Sequence, residues 1–366
     1  MTWLDVAADH PFGITNLPYG IFTTAAEPER RRVGVRVGDL VLDAAAAAHA
    51  ADCEYAVPAL SGPTLNPLLA AGKGAWDATR AWLVTVLTDP AYREAVEPHL
   101  IPLAEVTMHL PLEVADYVDF YASDNHAMNV GKIFRPDSPA LPVNWKHLPI
   151  GYLVGGATTM GERVSVDEAA DHIFGVVILN DWSARDIQAW EYVPLGPFLG
   201  KSFATSISAW VTPLAALDAA RIALPGQDDP VPLPYLQSAS GTGAFGLDVQ
   251  VEVSLNGTVV SHPPYSTMYW SPAQMLAHMT VNGASLRAGD IYGSGTISGP
   301  EREQRGSFLE LSWGGQEPFT LADGSTRSYL EDGDTVTMTA WAPGADGTRI
   351  SLGEVSGTIR PTAPEA

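Results

Sequence analysis

Residues 116–136 read Asp116-Tyr117-Val118-Asp119-Phe120-Tyr121-Ala122-Ser123-Asp124-Asn125-His126-Ala127-Met128-Asn129-Val130-Gly131-Lys132-Ile133-Phe134-Arg135-Pro136. Carboxylates, phenols, an imidazole and a guanidinium fall in one short segment, and a strand that only builds structure has little reason to hold so many. An active-site strand and loop is the sharper reading; the plainer one makes His126 a satisfied polar residue of the fold. A second dense stretch is Asn180-Asp181-Trp182-Ser183-Ala184-Arg185-Asp186-Ile187-Gln188-Ala189-Trp190-Glu191-Tyr192, followed by Pro194-Leu195-Gly196-Pro197-Phe198-Leu199-Gly200-Lys201-Ser202-Phe203-Ala204-Thr205. The apolar run Ile173 to Leu179 suits a buried strand that delivers Asp181 at its end. In a following helical turn, Arg185 and Gln188 share one face at i and i+3 and can hold one anionic oxygen between them.

Further along, Gly293-Ser294-Gly295-Thr296-Ile297-Ser298-Gly299-Pro300 precedes Ser307-Phe308-Leu309-Glu310-Leu311-Ser312-Trp313. Glu310 sits among apolar neighbours, where a carboxylate is either costly or used. The glycine pattern is not a P-loop, since no Gly-Lys-Ser/Thr follows in register.

From residue 113 onward the chain is rich in Gly, Pro and aromatic residues, and Ile173 to Leu179, Leu247 to Leu255 and Thr335 to Ala340 suit strands. Val166 to His172 reads as the clearest short helix of this region, with acidic residues in its first turn. Before it, Gly34 to Asp43 alternates apolar and polar residues around Gly38, as a small β-barrel or hairpin would, while Ala44 to Ala51 and Gly74 to Leu87 read as helices. The Pro-punctuated His109-Leu110-Pro111-Leu112 is the boundary candidate, giving domains 1–111 and 112–366. The 366 residues suffice for a substantial core.

Acidic residues outnumber basic ones 42 to 20, a net charge of −22 that repels nucleic acid and anionic lipid surfaces. The N-terminal residues lack a secretory pattern and the single Cys53 agrees with a reducing compartment, so a cytoplasmic address is expected, with no membrane span. Cys53 lies between Asp52 and Glu54, without a cationic activator.

Taken together, the three dense stretches resemble the fumarylacetoacetase family, over nearly all of the chain from Pro111 to the C-terminus and more weakly before it. The resemblance implies a mostly β fold with minor α: a small SH3-like N-terminal domain followed by a mixed β-roll catalytic domain. It implies hydrolysis of the carbon–carbon bond of 4-fumarylacetoacetate to fumarate and acetoacetate, the last step of tyrosine and phenylalanine catabolism, by a homodimer. His126 paired with Glu310 would activate water. Arg185, Gln188 and Lys201 would stabilise the developing charge. Tyr121, Arg135, Tyr152, Gln188, Tyr192 and Thr296 match substrate-contacting positions, suited to a β-diketone dicarboxylate. Asp119, Asp181, Lys201 and Thr205 match positions around a divalent cation, Mg2+ or Ca2+ by their oxygen donors; the lysine would take part through its carbonyl, because an ammonium cannot ligate a cation.

One departure stands out. After Tyr152 the family continues with a His-Gly-Arg and, later, a strand carrying a Glu-x-Glu pair of metal-binding carboxylates, whereas here Tyr152 runs into Leu153-Val154-Gly155-Gly156. Downstream of Tyr152 the only Glu-x-Glu is Glu301-Arg302-Glu303, and it lies in a Pro- and Gly-bounded loop. Two further readings therefore stay open: a catalytically impaired member that binds ligand or partner, and a related acylpyruvate hydrolase. The run Trp190 to Pro197 and the long N-terminal region favour fumarylacetoacetase over the latter.

Overall fold

The computed structural model describes residues 2–53, 55–149, 151, 152, 160–194 and 196–362. Near the N-terminus, β1 (Tyr19–Thr24), β2 (Glu27–Val37), β3 (Leu40–Asp43), β4 (Leu100–Pro102) and β5 (Val106–His109) form one antiparallel sheet in the order β4-β3-β2-β1-β5. Period-2 alternation explains its faces: Val33, Val35 and Val37 are buried on β2, with Arg36 between them and Arg32 just before them only partly covered. Gly38 makes the β2–β3 turn at φ +62°, a conformation that favours glycine. Asp43 ends β3 and caps the helix Ala44–Ala50, its Oδ1 accepting from Ala46 N at 3.1 Å. This helix and the longer Gly72–Thr88 cover the sheet, enclosing Leu17, Ile21, Leu60, Leu68, Leu83 and Leu87.

The C-terminal part is mixed β with some helix. Its largest sheet is antiparallel, in the order Thr258–Ser261, Gln250–Leu255, Thr335–Pro343, Arg349–Thr358. A three-stranded sheet places β6 (Tyr117–Phe120) between Ile291–Gly293, parallel to it, and β7 (Gly151–Tyr152), antiparallel. Val118 and Phe120 point into a core with Trp145 and Trp270, so Tyr117 and Asp119 face the other way.

Three sequence readings change in detail, one of them Leu247 to Leu255, which holds parts of two strands in separate sheets, Gly246–Leu247 and Gln250–Leu255. The run Ile173 to Leu179 is not one strand: it divides into β8 (Gly175–Val176) and β9 (Leu179–Asp181). β8 pairs with β11 (Thr212–Pro213) and β9 with β10 (Thr205–Ile207), in separate two-stranded sheets. Asp181 nonetheless ends β9, as expected. Val166 to His172 forms only turns and one 3-10 turn, Ala169–Asp171. Its first turn is drawn into other bonds: the Asp167 carboxylate accepts from the Ser238 and Ser240 hydroxyls and the Ala239 and Ser240 amides, and so short a segment scarcely nucleates a helix by itself.

Val211 joins the N-terminal core and exchanges two backbone hydrogen bonds with Tyr19, of 2.9 and 2.7 Å, so the two parts pack directly. A cavity of about 1350 Å³ runs through the C-terminal part. Its lining is largely apolar, Val176, Ile178, Val251, Val253, Val336 and Leu352 included, and Asp119, Asp181, Arg185 and Thr296 line it as well. Among the described residues no helix is long and apolar enough to cross a membrane.

Candidate active site

Ser123 follows β6 and caps the helix Asp124–Phe134, its Oγ accepting from His126 N at 3.2 Å. That cap sets His126 in the first turn, where its side chain is buried. Its Nδ1 lies 2.7 Å from Glu310 Oε2. Glu310 is fully buried on the short helix Phe308–Leu311 and accepts three further bonds: from Asn129 Nδ2 at 2.9 Å, Ser298 Oγ at 3.0 Å and Ser307 Oγ at 2.7 Å. Burial alone would raise its pKa, but the His126 charge and the hydrogen bonds from His126, Asn129 and Ser307 outweigh it and hold the carboxyl down at about 2. Glu310 is thus an ionised acceptor that holds the imidazole through Nδ1. The Tyr121 ring packs edge-on against His126 with centroids 5.2 Å apart.

A second group lies beside it. The Lys201 ammonium donates to Asp181 Oδ2 and to Ser183 Oγ, the latter at 3.3 Å, and stands 3.5 Å from Asp119 Oδ2. Burial raises the Asp119 pKa, and Lys201, His126 and Arg185 pull against it. Arg185 opens the helix Arg185–Glu191 and donates from Nη1 to Gln188 Oε1 at 2.7 Å, so the pair expected to share an oxygen hold each other here. Burial lowers the Arg185 pKa, opposed by the charges of Glu310, Tyr121 and Asp119 among others. These mutual influences bring His126, Glu310, Asp119, Arg185 and Lys201 into one electrostatic neighbourhood.

The other expected positions are less uniformly gathered. Thr296 lines the cavity just beyond Gly295, whose φ is +75° and where a Cβ would stand 1.9 Å from Phe120 O. Tyr192 stacks on Phe134 at 5.8 Å between centroids. Thr205 is the register partner of Asp181, but its side chain is exposed. The Arg135 guanidinium donates to Ala140 O at 3.3 Å. Tyr152 pairs through its backbone with Asp119; its side chain, and Leu153 to Gly156 where the sequence departs from the family, lie outside the described residues. Sequence reasoning missed Asn129, Ser298 and Ser307, three of the four donors to Glu310.

A buried imidazole–carboxylate pair thus stands near a cationic group held by Asp119 and Asp181, two aspartates that line the cavity. The family models for "Fumarylacetoacetase N-terminal" and "Fumarylacetoacetate (FAA) hydrolase C-terminal" match residues 15–111 and 117–360. The fumarylacetoacetase of Homo sapiens is 40% identical, covering 99% of each chain, and that of Arabidopsis thaliana is 38% identical, also covering 99% of each. A fumarylacetoacetate hydrolase structure from Exiguobacterium antarcticum shares the fold, with a TM-score of 0.52 at 15% identity over 94% of this chain and 100% of that one. The chain belongs to the fumarylacetoacetase family. Its alignment with the human protein runs over 424 positions against 366 residues in this chain, so at least 58 positions hold no residue of it.

Proposed function

We propose that this protein hydrolyses 4-fumarylacetoacetate to fumarate and acetoacetate, with His126 as general base. The observation that carries the reading is the buried His126–Glu310 contact, supported by full-length similarity to proteins named fumarylacetoacetase. His126 Nε2 takes a proton from water, and the hydroxide adds to the ketone carbon next to the bond that breaks. Glu310 steadies the resulting imidazolium. The carbon–carbon bond then cleaves, its electron pair leaves as the enolate of acetoacetate, and the imidazolium gives its proton to the departing enolate carbon. Arg185, Gln188 and Lys201 supply donors for the developing oxyanion, worth most in a site shielded from water. Arg135 anchors a terminal carboxylate, and Tyr121, Tyr152, Tyr192 and Thr296 contact the remaining oxygens.

The carboxylates of Asp119 and Asp181 fit a hard cation in charge and donor type, since they already share the Lys201 ammonium. They would hold Mg2+ or Ca2+, with Thr205 beside them, and such an ion supplies charge stabilisation for a departing enolate. Among the described residues no group of three or more His, Cys, Asp or Glu is placed to hold a metal, so the set is short of ligands and binding would be weak. We place the domain boundary at 111/112, supported by an N-terminal core drawn almost wholly from residues before it, and read the protein as a cytoplasmic homodimer, the pairing supported by the exposed Trp190, Phe198, Leu199 and Phe203.

Loss of diketone absorbance on adding purified protein and Mg2+ tests the activity. Turnover abolished in His126→Ala supports the reading; no turnover by the unaltered protein at high concentration rejects it in favour of an impaired, ligand-binding member.

A further inference from the structure

Glu191, the last residue of the Arg185–Glu191 helix, belongs to none of the groups assigned above. Its carboxylate accepts from three consecutive backbone amides: Phe198 N at 2.6 Å and Gly200 N at 2.8 Å on Oε1, and Leu199 N at 2.9 Å on Oε2. Phe198 and Leu199 expose their side chains, so backbone bonds, these amides among them, tie the segment down within the chain. The other end of the helix grips the same segment: Ala184 N donates to Gly200 O at 2.9 Å. Gly200 is pressed so closely on the helix that a Cβ there would lie 2.8 Å from Gln188 N and 2.9 Å from Ala184 O. The next residue is Lys201, whose ammonium lies between Asp119 and Asp181.

We propose that Glu191 is a positioning residue for Lys201: by clamping residues 198–200 onto the helix that carries Arg185 and Gln188, it sets all three donors as one rigid unit. A carboxylate accepting several amides makes stronger bonds than neutral pairs do, and groups held by such outer contacts lose their aim when the contact goes. The catalytic meaning rests on the proposed role of Lys201 in hydrolysis; the placement of its ammonium does not.

The chain has four lysines, Lys73, Lys132, Lys146 and Lys201. Labelling lysine with 13C at Cε gives four NMR signals, and Lys201→Arg identifies the one of interest. In Glu191→Ala this signal shifts towards the other three, and in Glu191→Gln, which keeps one acceptor oxygen, it shifts less. In turnover, Glu191→Ala lowers kcat about 10- to 100-fold with KM within about twofold, and costs nothing more in a Lys201→Met background. An unmoved Lys201 signal in both variants overturns the proposal, as does a loss that multiplies with Lys201→Met. Should Glu191→Ala not fold, Glu191→Gln carries both measurements. If the unaltered protein shows no turnover, the hydrolase reading falls and the lysine signals still decide whether Glu191 places the ammonium.

Discussion

Glu310 accepts from His126, Asn129, Ser298 and Ser307, and this crowd of donors to one buried carboxylate is what keeps it charged. Its pKa falls from an ordinary 4.5 to about 2 on folding, so the stability it contributes is complete above pH 4.5 and is lost as pH drops through 2. Glu310→Gln should flatten the fall of the urea midpoint between pH 4.5 and 2 and lower kcat by roughly 10²- to 10⁴-fold; an unchanged midpoint profile would remove Glu310 from the acid response. Reactive side chains in unexpected company drew the eye to His126 and to Glu310 separately, but their pairing came from the family resemblance. Their helpers were not legible, since a lone serine carries little signal. Two clues did exist: Asn129 is three residues beyond His126 on the same helix, and Ser307 precedes Glu310 in the Ser-x-x-Glu spacing of a capping box.

The helix Asp124–Phe134 and the turn at Gly295 are the elements that aim the site. Ser123 caps the helix and also donates from Oγ to Ser298 O at 3.2 Å, linking the histidine helix to the loop that supplies a Glu310 donor. Ser123→Ala should cost about 1 kcal/mol in denaturant unfolding through the lost cap and lower kcat more than it raises KM. At Gly295 even alanine meets both a left-handed φ and the Phe120 carbonyl, so Gly295→Ala should reduce soluble yield or cut activity sharply, read by melting and turnover. At this scale the sequence told strand from helix where a pattern ran long enough, as in Gly72–Thr88 and Thr335–Pro343. It failed for Val166 to His172 because Ser238 and Ser240, about seventy positions away, compete for Asp167, and local spacing does not reveal a distant competitor.

For the molecule as a whole, an N-terminal core that takes in Val211 and a net charge of −22 frame a site whose cationic groups are few and local. The two-carboxylate set should bind Mg2+ with a dissociation constant of about 10⁻³ M in calorimetry, the weak end for hard cations. Nanomolar binding would mean a fuller ligand set than these residues provide. The N-terminal sheet followed by a mixed β part could be read from composition and the family resemblance, whereas the split of β8 and β9 into separate small sheets could not. Such pairings depend on what else is present to pair with, and at least 58 positions of the human relative have no counterpart here. The apolar-walled cavity of about 1350 Å³ has a practical outcome at the bench. Environment-sensitive dyes that report melting by brightening on greasy surface should already glow with the folded protein, so a fluorescence thermal scan would start high, and melting is better followed by calorimetry or circular dichroism.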